Sequence, residues 1–166
     1  MAPDRPSVEE IYHAAALQFL NVQIATAEEL DARTYQMFTI GSTVLPVTFA
    51  LLNLAGEEAP PVAGWILGAA LIVYLALIGC AVRATRQRRF DYRPNIATLA
   101  SLVDSYRSVP QGGSLLHEWV AREYQVSIDD NRPLLANKGR WVGRMSAMLF
   151  VESVCLAIAA GLTLAL

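Results

Sequence analysis

Glu152 is the one acidic or basic residue well inside an apolar run, residues 145–166. It lies seven residues past Met145, about 10 Å along a helix at ~1.5 Å rise per residue. A carboxylate at that depth costs roughly 2.5 kcal/mol or more unless it is protonated, paired or in contact with water. Two kinds of chemistry fit it. A protonated Glu152 can hydrogen-bond to the hydroxyls and amides of a neighbouring span and hold a bundle together. Alternatively, a ring of Glu152 side chains around an oligomer axis attracts cations.

The neighbouring hydroxyls and amides are easily found. Residues 35–54 carry no charge, yet Gln36, Thr39, Thr43, Pro46, Ala50 and Asn53 recur there at spacings of 3, 4, 3, 4 and 3. That places them on one face of a helix as a small and polar seam. Pro46 is expected to kink the helix and free the carbonyl four residues back. Small and hydroxylated residues let helices pack closely in lipid; the same face could instead be wet and line a pore. Thr39, Thr43, Asn53 and Glu152 are therefore the candidate pore-lining or intramembrane polar contacts.

The chemistry of catalysis is absent. There is no P-loop, H-E-x-x-H, G-x-S-x-G or Cys/His cluster, so no enzyme, cofactor or metal site is expected. Cys80 and Cys155 lie inside apolar runs without metal-like spacing and are expected to be buried free thiols. His13 and His117 are each expected to sit alone as ordinary surface or edge histidines.

Residues 63–82 fix the class. Twenty consecutive uncharged, mostly apolar residues make a helix of about 30 Å, the thickness of a bilayer's hydrocarbon core. The sequence predicts an all-α integral membrane protein with three transmembrane helices and a small cytoplasmic helical bundle. Its regions are a cytoplasmic amphipathic helix within residues 1–34, a transmembrane hairpin over 35–82 (spans 35–54 and 63–82), a cytoplasmic helical region over 83–140, and a third span over 141–166. No signal-peptide h-region precedes them, so the apolar runs themselves must do the targeting.

Ser7-Val8-Glu9-Glu10 has the capping-box form that starts a helix. Val8, Ile11, Ala15, Phe19, Val22 and Ala25 then form an apolar stripe expected to pack on a partner helix. Nothing breaks this helix before the first span. Residues 55–62 form an acidic turn. After the second span come a helix over 94–107 with Leu99, Leu102, Val103 and Tyr106 on one face, a loop over 108–114, and a helix from Ser114 with Leu116, Trp119, Val120, Tyr124 and Ile128 on one face. Asp129-Asp130-Asn131-Arg132-Pro133 is expected to be a joint, with the last helix beginning near Pro133.

Charge sets the orientation. Net charge is only −2, so no global field draws the chain to nucleic acid. Arg83, Arg86, Arg88, Arg89 and Arg93 crowd eleven residues after the second span, whereas the 55–62 turn holds two glutamates and no Lys or Arg. The positive-inside rule puts the arginines and the N-terminus in the cytoplasm and the C-terminus outside. Arg83, Arg86, Arg88 and Arg89 are the candidate lipid-headgroup contacts.

A set of short motifs completes the picture. Ala27-x-x-Leu30-Asp31-x-Arg33-Thr34 stands before the first span; Glu123-Tyr124-x-x-Ser127-Ile128-x-x-Asn131, then Leu135-x-x-Lys138, lead into the last. With this order of elements the chain resembles the small multi-span bacterial effectors of antiphage defence, the SLATT and Pycsar transmembrane groups. It departs from them at Gly112-Gly113 and Pro133, which are expected to interrupt longer helices. The resemblance implies a homo-oligomer in the bacterial inner membrane that disrupts the bilayer or forms a pore once infection is sensed. No separate nucleotide-sensing domain is evident, so the signal would be read by the cytoplasmic bundle or by a partner protein. The alternative is a non-enzymatic membrane anchor or accessory subunit whose cytoplasmic helices recruit a partner protein.

Overall fold

The computed structural model describes residues 7–55, 61–86, 90, 93–94 and 96–164. Among them the chain is all-helical, with α1 (Val8–Ala55), α2 (Pro61–Thr85), α3 (Ile96–Tyr106) and α4 (Gly112–Leu164), and no strand. The expected 55–62 turn falls mostly outside the described residues.

The N-terminus of α1 forms as its sequence dictates. The Glu10 backbone N–H donates to Ser7 Oγ at 3.2 Å, and the Ser7 N–H donates to Glu10 Oε2 at 2.9 Å, satisfying two donors that a helix start leaves orphaned. From there α1 runs unbroken past Asp31 and Arg33 and through Pro46.

α4 corrects the expected joint. It starts at Gly112 rather than Ser114 and continues through Pro133 to Leu164. A proline inside a helix lacks the N–H and crowds the carbonyl four residues back. Here both Pro133 and Asp129 are exposed, so the lost bond lies on the open side of the helix. The helix tolerates the loss. Gly112 does mark a real boundary: a Cβ there would overlap the Tyr106 carbonyl oxygen, so only glycine allows α4 to start so close to the end of α3. Gln111, at φ 62°, turns the chain between them.

The chain divides into two compact units. One comprises Met1–Glu28 and Arg88–Ala136, the other Glu29–Gln87 and Asn137–Leu166. In the first unit α1 and α4 run parallel: His13 stacks on His117 at 5.1 Å and meets Tyr124 at 5.7 Å, and further along Gln23 Nε2 donates to the Ile128 carbonyl at 3.1 Å. Two expectations fail here. The histidines are not solitary but form a stacked pair. The face of α1 turned inward is Ala16, Leu20 and Ala27, whereas the expected stripe of Val8, Ile11, Ala15, Phe19, Val22 and Ala25 is exposed. Small residues at the contact let two helices approach closely, and half-buried Gln23 gives its Nε2 a carbonyl while its Oε1 has no partner. On α4 the expected face does turn inward: Val120 is buried and Leu116, Trp119, Tyr124 and Ile128 are half-buried. The Arg93 N–H donates to Ser127 Oγ at 3.0 Å, tying the segment before α3 to α4.

In the second unit α1, α2 and α4 pack as three helices. Leu45 meets Leu67, Ala70 and Leu156 in one core cluster; Leu30 and Met37 pack with Leu77, Cys80, Ala81, Ala84, Val142 and Met145 in another. The order of these contacts makes α2 antiparallel to α1 and α4 parallel to it. Among the described residues two helices are long and apolar enough to cross a membrane: α2, with mean hydropathy 2.4, and the Gly112–Thr163 helix, with 2.0, each in its most apolar window. The span expected at 35–54 is not among them.

Burial, and then the neighbouring charge of His117, hold the His13 imidazole below its ordinary value. The unfolded chain therefore binds this proton more readily than the folded one, so stability is full above the unfolded value of about 6.5 and falls as pH drops below it. Chemical denaturation of the wild-type chain between pH 7.5 and 5 should show this loss in the first unit, and His13→Gln should flatten it.

Candidate functional site

The polar groups predicted to act inside the membrane all lie in the second unit, but on different faces. Thr39, Thr43 and Asn53 are exposed, as are Gln36, Pro46 and Ala50. The seam is real, and it faces away from α2 and α4. The hydroxyls of Thr39 and Thr43 donate to the carbonyls of Tyr35 and Thr39, at 2.9 and 2.8 Å, so both are satisfied by their own helix.

Glu152 is on the inside. It is 1 % exposed, and neither carboxyl oxygen has a hydrogen-bond partner. Of the two readings open for it, the hydrogen bond to the seam is not formed within this chain. What it meets instead is Gly41, about half a turn around α1 from Thr39 and Thr43. A Cβ built on Gly41 would lie 3.2 Å from Glu152 Oε2 and 3.5 Å from the Tyr74 ring. The missing side chain of Gly41 is what admits the carboxyl. Beside it, Ser42 Oγ and Tyr74 Oη share a hydrogen bond of 2.8 Å between α1 and α2.

A second buried polar group stands toward the other end of the unit. Lys138, the only lysine of the chain, is 4 % exposed and its Nζ lies 2.6 Å from Asp31 Oδ2. This pair joins α4 to α1. The ammonium is buried while the carboxylate is half exposed, so the pair spans the edge of the bundle. Both residues belong to the short motifs noted in the sequence.

Of the four candidate headgroup contacts, Arg83 and Arg86 are exposed at the end of α2; Arg88 and Arg89 lie outside the described residues. The Arg83 guanidinium lies 5.4 Å from the Trp141 ring centroid, and that of Arg144 lies 4.4 Å from it. Two cations share one indole, whose amphipathic ring suits the level of lipid headgroups. Cys80 and Cys155 are free, the first buried and the second half-buried. Among the described residues no group of three or more potential ligands could hold a metal ion.

Gly41, Tyr74 and Trp141 were not singled out from the sequence. Gly41 had a signal, being the only glycine in residues 35–54; for the other two, nothing in their spacing distinguishes a contact from an ordinary apolar position.

An unpartnered buried carboxyl costs about 1–3 kcal/mol, more if charged. Glu152→Met, which keeps the volume and removes both oxygens, should therefore leave the bundle at least as stable in a detergent thermal melt. Gly41→Val should lower the melting temperature clearly, since its branched side chain meets Glu152 and Tyr74. A destabilised Glu152→Met would mean that the carboxyl holds the bundle together after all.

No protein-family model matches this chain, nor does any curated protein or solved structure.

Proposed function

We propose that this chain is an oligomeric effector of the bacterial inner membrane that forms or gates a pore and alters membrane permeability, in antiphage defence. Three helices cross the bilayer in this reading: residues 35–54 of α1, then α2, then the last part of α4. The N-terminus and residues 83–140 face the cytoplasm and the C-terminus lies outside. Support for the first span comes from packing, since this part of α1 lies along α2 and α4 through Met37, Leu45 and their neighbours.

The observation that carries the reading is the polarity of the exposed face of α1. Gln36, Thr39, Thr43 and Asn53 point away from their own bundle, on a helix whose opposite face is buried. Hydrocarbon offers the two amides no partner, and an unsatisfied polar group there is expensive. Water or another copy of the same face relieves that cost. Several copies arranged with this seam inward give a lumen lined by hydroxyls and amides. The setting of antiphage defence rests on the resemblance of the motifs alone.

The test is ion or dye release from liposomes holding the purified protein. Wild-type chain should release contents, and Thr39→Leu with Thr43→Leu should reduce release several-fold while leaving the thermal melt unchanged. Intact liposomes at all protein densities would overturn the pore and favour a membrane anchor that recruits a cytoplasmic partner.

A further inference from the structure

The part of α1 in the first unit leaves a face uncovered that a solvated helix does not usually have. Between Glu10 and Glu28 the sequence holds no charged residue. Val8 is 78 % exposed and Phe19 66 %, with Ile11, Ala15 and Val22 exposed beside them. Singly, exposed apolar residues mean little; a contiguous row of them marks an interaction surface.

The spacing says which kind. Val8, Ile11, Ala15, Gln18, Val22 and Ala25 follow one another at 3, 4, 3, 4 and 3, the alternation that packs one helix against another in a coiled coil. Every one of them is exposed, because α1 meets α4 through the opposite side, at His13, Ala16, Leu20, Gln23 and Ala27. Along the same helix the alternation continues through Glu29 and Ala32 to Gln36, Thr39, Thr43, Pro46, Ala50 and Asn53.

We propose that the Val8 to Ala25 face of α1 is where a second copy of this chain docks, α1 against α1. The proposal rests on the oligomeric membrane reading above. Chains inserted in one orientation bring their α1 helices together in parallel, which is what a self-matching row of heptad positions requires. The charge pattern separates this occupant from the others. A helix that lies on a bilayer surface carries Lys and Arg beside its apolar face, and none is present between Glu10 and Glu28. Recognition of a charged partner would need charges to match, and the face has none. A second uncharged α1 fits it as it stands.

Disulfide cross-linking tests the contact. In membranes holding a chain with Cys80→Ser and Cys155→Ala, single cysteines are introduced at Ala15, Val22 or Leu17, where Leu17 is exposed on α1 but off the row. Mild oxidation should link Ala15→Cys and Val22→Cys chains into dimers several-fold faster than Leu17→Cys. Phe19→Glu with Val22→Glu, both at exposed positions, should shrink the particle in mild detergent. Equal linking at all three sites with an oligomer that survives the double glutamate variant overturns this face and spares the oligomer. A wild-type chain that is monomeric in membranes and shows no linking at any site overturns both.

Discussion

In each unit α1 meets α4 through residues spaced alternately three and four apart, and this parallel contact determines what every other part of the chain can do. Small residues sit within it, Ala16 and Ala27 in the first unit and Gly41 in the second, among larger ones such as Leu20 and Met37. Thr34 is buried because its hydroxyl donates to the Leu30 carbonyl at 2.8 Å. Large apolar side chains at the small positions would hold the helices further apart. Glu152 could not then reach Gly41, nor could Lys138 reach Asp31.

Because that contact uses one side of α1, the other side is left over, and its polarity is the reverse of what its surroundings ask. It is apolar at Val8, Ile11, Phe19 and Val22, where the proposed topology supplies water. It is polar at Gln36, Thr39, Thr43 and Asn53, where the topology supplies lipid. Within one copy the Thr39 and Thr43 hydroxyls are met by their own helix, which leaves the apolar row and the amides of Gln36 and Asn53 as the mismatch. The proposed self-association would relieve both, with an apolar contact in the first unit and a hydrated seam in the second.

Much of the fold was legible because it follows from local rules. Residues 63–82 could only be a long apolar helix, Ser7 and Glu10 cap α1 as their spacing requires, and Val120 and its neighbours on α4 turn inward as their period predicts. The inward face of α1 was not legible, since both of its faces carry a three–four alternation and the more apolar one is outside. What separates them are contacts with α4 far along the chain, such as the bond from Gln23 Nε2 to the Ile128 carbonyl more than a hundred residues away. Pro133 misled for a related reason. Its cost depends on whether it falls on the open or the packed side of the helix, and sequence does not record that. Glu152 was found by its cost alone, while its neighbour Gly41, the only glycine in residues 35–54, carried a signal that nothing in its spacing tied to Glu152.

The most direct measurement is water access along α1 in intact membranes. Single cysteines at Thr39, Thr43 and Ala50, and at Phe38 and Val47 as exposed sites off the seam, would be introduced into the chain lacking Cys80 and Cys155. Each would then be treated with a small, water-soluble thiol reagent. The account predicts fast reaction at Thr39, Thr43 and Ala50 and slow reaction at Phe38 and Val47. Uniformly slow reaction would place the seam in lipid or dry protein and contradict a hydrated path through the membrane.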